Sequence, residues 1–514
     1  MSQKPHGMSL TRLERLMVMQ AVPSAVPTTA IRSIAPRSVS VIDQPVFGRL
    51  LPPNPVTAPA RPEAHARIAE LAASARGTAA VLPGPAAAGL TFFGQFVDHD
   101  VTLDVSSEFG KVIAPELVRN IRTPALDLDC VYGFGPEGSP LLYSGKHEGY
   151  LYMGNRFNPN DLPRNHEGRA VIGDPRNDEN AIISQLQGLF IKFANLAHWE
   201  VEHNAAAYMG QFEGVTGNAY AVARQLVRWH YQWLIMHEML PAFVDAAVLE
   251  EVMSWMRRND LPKPFRHDSP AIPVEFAVAG YRFGHATVQG QYTLKNGTTI
   301  ELFGNPQTSM PGLPAFGFKD PAFDLDLATM FDHPDPTAPG AMAAQRARPV
   351  GLDLTPEIFD LPFVMSGAIV VDGITFTPEQ LKMLPARNLF RDRFTFQLAS
   401  GQQMANAMGR TPLDRNAATK AARIDKIPLW YYVLQEGEEQ ANGKLGEVGG
   451  TLVATVLLRL LKEDPMSVWH RPWWKPVFGK DEAGRFSFRH MAAWVDANWG
   501  ALPLRDDLVT PTQP

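Results

Sequence analysis

A chain of 514 residues, 45% of them hydrophobic, can bury the core of one large domain or two smaller ones. A net charge of −6 and a pI near 6.2 point away from a nucleic-acid partner. A single cysteine, Cys130, excludes an intramolecular disulfide and fits a reducing compartment or export without disulfides. No apolar run approaches the ~20 residues needed to span a bilayer.

Residues 1–61 read as an extended N-terminal arm. Residues 1–37 lack the basic, apolar, small pattern of a secretory signal, so the expected location is the cytoplasm, or outside the cell after export without a classical signal peptide. Leu10, Leu13, Leu16 and Met17 hint at a short amphipathic helix, and 18–61 are rich in Pro, Ala and Val without periodicity. A short helix is expected over 62–76 and another over 86–97, where apolar residues fall at helical spacing. Residues 102–123 are polar, and 132–140 are turn-rich. Gly173-Asp174-Pro175-Arg176-Asn177-Asp178-Glu179 should open a long helix whose stripe includes Ile182, Leu186, Leu189, Phe193 and Leu196. Further helices are expected over 220–240 and 270–288. Residues 291–303 alternate around Asn296-Gly297, a hairpin signal. After a loop-rich stretch at 304–375, helices return at 378–384, 386–408, 426–435 and 446–462, and the Trp469–Trp474 stretch should pack on the core surface. The sum is a mainly α fold, one large domain over 62–514, with little β-structure.

Residues 91–100 read T-F-F-G-Q-F-V-D-H-D. Gln95 and His99 are four apart and share a helix face, and Asp98 and Asp100 flank the histidine. Such a polar cluster ending an apolar helix is expensive to bury without partners. The segment Gly94–Asp100 resembles the distal-helix motif of the animal-type haem peroxidases, the peroxidase–cyclooxygenase superfamily. Further motifs match in order: T-x-A-x-D-x-D at 123–129, R-x-x-E at 176–179, R-F-G-H at 282–285 and N-x-x-R-D at 388–392.

The resemblance implies a haem b cofactor. His285 would be the axial iron ligand, and Asn388 the partner fixing its tautomer. Position 393 is Arg where many members have His. On the distal side His99 would be the proton-transferring base, Arg176 the fixed cation and Gln95 the group positioning water or halide; a His can exchange a proton near neutral pH, and Arg keeps its charge. Taken alone, Arg176 reads better as an ion pair with Asp174 or Glu179. Asp98 and Glu179 match positions that form ester bonds to the haem periphery, through one or both; position 180 is Asn, so a sulfur link from Met is not available there. Arg282 and Arg391 are candidates to pair the haem propionates. Asp100, Thr123, the Ala125 carbonyl, Asp127 and Asp129 supply the hard oxygens of a Ca²⁺ site, with Asp129 replacing a commoner Ser. Cys130 reads as a small buried apolar residue.

The implied activity is reduction of hydrogen peroxide and oxidation of halide or small phenolic donors through an oxyferryl intermediate. The alternative is a fatty-acid oxygenase of the cyclooxygenase or α-dioxygenase type. That chemistry needs a radical Tyr three residues before the proximal His; here that position is Arg282, and Tyr281, four before, is expected to turn away on a helix. A third reading is a haem-binding or adhesion protein without turnover.

Overall fold

The computed structural model describes residues 47–104, 107–208, 217–266, 268–269, 271–304, 311–333, 335, 337, 342–362, 364 and 367–510. The hinted helix near Leu10–Met17 and most of the expected arm lie outside these residues. Within them, Phe47 is buried and its N–H donates to the Val118 carbonyl at 3.1 Å, and the Asn54 N–H donates to Gln397 at 2.8 Å.

The fold is mainly α. Helix α1 spans Arg61–Ser74 and α2 Ala88–Val101. The longest, α3, covers Ala181–Tyr208 with a non-helical kink at Asn204. Then come α4 (Ala219–Leu234), α5 (Ala246–Arg258), α6 (Leu384–Phe390), α7 (Gly401–Met408), α8 (Leu429–Glu439), α9 (Glu447–Glu463) and α10 (Phe488–Trp499). Among the described residues the sheet content is two antiparallel hairpins, β1–β2 (Gln291–Thr293, Thr299–Glu301) and β3–β4 (Ile369–Val371, Ile374–Phe376). Gly297 turns the first at φ +83°, where a glycine carries no steric cost. No described helix is long and apolar enough to cross a membrane.

Helix α2 sits inside because its sequence leaves it no other place. Leu90, Phe92, Phe93, Phe96, Val97 and Val101 are all buried. Phe96 stacks on Phe190 of α3 at 4.8 Å, and Phe93 meets Phe488 of α10 edge-on at 4.5 Å. Each such ring contributes about 1.5–3 kcal/mol by leaving water. This packing orients the remaining edge of α2, which carries Gln95 and Asp98, outward from the aromatic core. Helix α2 runs four residues past the expected end at 97, so Asp98, His99 and Asp100 belong to its last turn.

Three expected helices form differently. The start at 173 is a 3₁₀ turn, Pro175–Asp178, and α3 begins only at Ala181, with Asn180 accepting the Ile182 and Ile183 N–H groups at 3.0 Å. The stretch expected as a helix over 270–288 is a π turn, Glu275–Ala279, followed by a 3₁₀ segment, Gly280–Ala286. Outside partners break its regular bonding: Glu275 accepts the Leu50 and Leu51 N–H groups, and Trp430 Nε1 donates to the Arg282 carbonyl at 3.0 Å. The expected helix 386–408 is split, because Gln397 takes φ +50° and Ser400 starts α7 with a capping box closed by Gln403.

Candidate active site

One cavity joins α2, the Glu179–Asn180 corner and the 3₁₀ segment around His285. Its wall holds Thr91, Gln95 and Asp98 on one side and Tyr281, Arg282 and His285 on another, with Phe243, Phe283, Leu302, Ile358 and Leu384 closing it. It encloses about 1020 Å³ of empty space, part of it open to solvent. Apolar walls with few polar groups are the usual build of a small-molecule or cofactor site.

Of the distal set, Gln95 and Asp98 lie on the wall together with Glu179, and Gln95 donates to the Glu179 carboxylate. Asp98 accepts from the Thr102 hydroxyl at 2.9 Å. His99 is fully buried and is set back from the wall; its Nε2 lies 3.9 Å from Glu179 Oε1. Its Nδ1 is 2.7 Å from Asn177 Oδ1. Asn177 Nδ2 donates to Gln187 at 2.7 Å, and Gln187 donates to the Cys130 carbonyl at 3.2 Å. An amide oxygen accepts only, so this chain puts the imidazole proton on Nδ1 and leaves Nε2 as the acceptor. Asn177 and Gln187 carry no motif signal beyond their positions in the two flanking stretches.

Arg176 does not reach the cavity. Its Nη2 donates to the carbonyls of His99 (3.0 Å) and Thr102 (2.7 Å), and to Asp174 at 2.8 Å. Asp174 also accepts the Arg176 backbone N–H at 2.9 Å as the cap of the 3₁₀ turn. Of Arg176, expected as the fixed distal cation, and Glu179, only Glu179 lines the cavity. The arginine instead satisfies the last carbonyls of α2, groups that a helix end leaves without partners.

On the opposite wall His285 Nδ1 lies 2.9 Å from the side-chain amide of Asn388, the residue that the resemblance pairs with it. Arg282 is half-buried and its Nε donates to the Ala277 carbonyl at 3.2 Å. Burial, followed by repulsion from Arg391, lowers Arg282 to about 10; the same two causes bring Arg387 to about 10. Arg391 donates to Ser107 Oγ at 3.0 Å and Asp104 at 3.3 Å, but its buried Nε has no partner among the described residues. Tyr281 is on the cavity wall too. Against the expectation that it turns away, it faces the same cavity as His285, and its hydroxyl points at Met239 Sδ, 3.8 Å away.

Asp100, Asp127 and Asp129 bring ligand oxygens within 4.8 Å of one another. Leu128 between them takes φ +61°, which folds the loop back so that its N–H and the Tyr231 hydroxyl both donate to Asp100 at 3.1 Å. Burial and then the nearby Asp127 push Asp100 up to about 7; burial also raises Asp127 and Asp129. Asp127 keeps a buried Oδ1 without a partner. Thr123 and Ala125 stand in the same loop, where the Ala125 N–H donates to Thr123 at 2.7 Å. Asp129 is not a spare carboxylate: Arg122, which the motif reading passed over, meets it at 3.3 Å. Cys130 is buried, as expected.

Residues 107–313, which hold both the acidic loop and His285, match the family model for the animal haem peroxidase. Over that stretch, about two fifths of the chain, the sequence is similar to the animal haem peroxidases. The chorion peroxidase of Drosophila melanogaster is 26% identical over 262 residues, covering 45% of this chain but only 30% of the length of that protein. Peroxidase A from Dictyostelium discoideum shares the fold at TM-score 0.52 and 14% identity, covering 82% of this chain and 88% of its own. The fatty acid alpha-dioxygenase of Oryza sativa does so at TM-score 0.52 and 15% identity, covering 90% and 82%.

The residues of this cavity fit the haem that the matching family model implies. Three crowded guanidiniums, two of them depressed by burial and mutual repulsion, form a seat that an anionic carboxylate would relieve. One of them, Arg282, stands with His285 on the wall of an apolar cavity.

Proposed function

We propose that this chain is a peroxidase: it binds haem in this cavity and uses hydrogen peroxide to oxidise halide or small phenolic donors. The observation that carries the reading is the directed chain from His99 through Asn177 and Gln187, which leaves a base nitrogen 3.9 Å from a cavity-wall carboxylate. Bound haem would supply the redox chemistry at its iron. His285 would hold that iron through Nε2. Turning the Asn388 amide to present its oxygen lets Nδ1–H donate to it, and amide O and N exchange without changing shape. Arg282 and Arg391 would pair the propionates. His99 Nε2 takes the proton of an incoming peroxide and returns it to the leaving oxygen, with Gln95 and Glu179 beside it to place that oxygen. Arg176 acts here by fixing the end of α2 and with it the His99 backbone.

Asp98 and Glu179 both stand on the cavity wall, which supports ester links to the haem through one or both. Acid–acetone treatment of peroxide-matured protein should leave haem on the chain; complete release rules the links out. The buried carboxylates of Asp100 and Asp129, with half-buried Asp127, support a Ca²⁺ ion there, which would neutralise charge the fold otherwise buries at a cost. Thr123 and the Ala125 carbonyl are proposed as its further ligands.

A second reading, an oxygenase acting on a fatty acid, draws support from Tyr281 on the cavity wall and from the dioxygenase fold likeness. Peroxide turnover of halide or phenol by the haem-loaded protein, with no oxygen uptake on fatty acid, decides for the peroxidase. The reverse pattern decides against it.

A further inference from the structure

Arg122 lies one residue before the acidic loop, and its partners belong to both halves of the distal architecture. Its Nη1 meets Asp129 at 3.3 Å; its Nη2 donates to Asp174 at 2.6 Å and to the Gly173 carbonyl at 2.9 Å. Asp174 is fully buried and grips Arg176 through the backbone N–H, Nε (3.1 Å) and Nη2. Arg176 in turn holds the His99 carbonyl. Signs alternate along the row: Asp129, Arg122, Asp174, Arg176. Burial alone would raise Asp174, but Arg122 first and Arg176 second bring it well below the usual carboxylate range. The two backbones touch as well, since a Cβ on Gly173 would fall 2.5 Å from the Asp129 carbonyl oxygen and 2.6 Å from that of Cys130.

We propose that Arg122 is a positioning residue that couples cation occupancy of the acidic loop to the seat of Arg176, with Asp174 as the link. The inference rests on the cation reading above. A cation at Asp100, Asp127 and Asp129 competes with Arg122 for Asp129, and Arg122 then turns its charge toward Asp174. In the other direction, loosening Arg176 releases Asp174 to Arg122, which is drawn off Asp129 and leaves that carboxylate to the cation. Coupling between two sites is reciprocal, so either direction measures it.

The test uses the full chain without haem and terbium(III) as the cation, sensitised by Tyr231, whose hydroxyl already bonds Asp100. Binding is compared in wild type, Arg176→Met, Arg122→Met and the double variant, with Arg122→Lys as the conservative control. Arg122→Met should bind terbium about 10-fold more tightly, because a positive charge leaves the site. Arg176→Met should tighten binding about 3- to 10-fold in wild type and less than about 2-fold once Arg122 is gone. Arg122→Lys should keep most of the wild-type behaviour. A purely structural Arg122 predicts looser binding in Arg122→Met, and independent action predicts factors that multiply; either result overturns the coupling. If wild type takes up no terbium, the cation reading falls and the coupling with it. Haem uptake is read separately and leaves these outcomes unchanged.

Discussion

At the scale of single residues, two amides decide what His99 can do. Asn177 Oδ1 accepts from Nδ1, and Gln187 keeps that oxygen facing the ring. Asn177→Ala should slow the peroxide reaction roughly 10- to 100-fold with haem content unchanged, since a missing orienter costs less than a missing base. Stopped-flow absorbance checks this, and an unchanged rate would show that the amide chain is idle. Asp392, next to Arg391, offers a second test. Burial pushes it up to about 7 against the pull of Arg393 and the Trp430 and Leu429 N–H groups. The folded state therefore keeps this proton to higher pH than the unfolded chain does. Its contribution is fully present below the ordinary carboxylate range and is lost as pH rises through about 7. Unfolding free energies from urea titrations at pH 5 and pH 8 should differ less in Asp392→Asn than in wild type, by roughly 1–2 kcal/mol; equal differences would refute the assignment. Motif order alone brought Gln95, Asp98, Glu179, His285 and Asn388 to the same region. The direction of Arg176 was not legible, because it depends on Asp174 and on two carbonyls that only the folded end of α2 presents.

At the scale of elements, the segments that carry chemistry are those that depart from regular helix. The 3₁₀ turn at Pro175–Asp178 and the 3₁₀ segment at Gly280–Ala286 place Glu179 and His285 on the wall, and Tyr281 with them. Helical periodicity in the sequence marked both stretches as ordinary helix, since a few outside bonds, from Trp430 and to Glu275, outweigh local preference. The β1–β2 hairpin was readable because Asn-Gly selects a tight turn whatever surrounds it. The β3–β4 hairpin, inside a stretch expected to be loop, has only short strands and weak alternation to announce it. Gly173→Ala probes the seam between acidic loop and distal turn. Its Cβ would meet backbone, which cannot rotate away, so stability should fall by roughly 1–3 kcal/mol and terbium affinity should change with it. A variant as stable as wild type would mean the seam yields at no cost.

At the scale of the whole molecule, an aromatic core built on α2, α3 and α10 fixes one wall of the cavity, and the 3₁₀ segment packed on α8 fixes the other. That separation between rigid walls suits a flat cofactor held from both faces. Chelation should abolish peroxide turnover before far-ultraviolet circular dichroism reports unfolding, because the acidic loop meets the last turn of α2 at Asp100, the neighbour of His99. Activity unchanged in protein shown calcium-free by elemental analysis would remove the ion from the account. The central claim is tested most directly by the absorption spectrum of haem-loaded protein before and after one equivalent of hydrogen peroxide, in wild type and His99→Ala. The account predicts a fast spectral change in wild type and one slower by roughly 10²–10⁴-fold in the variant, with equal haem content. Haem that binds and ignores peroxide, or a chain that takes up no haem, would contradict it.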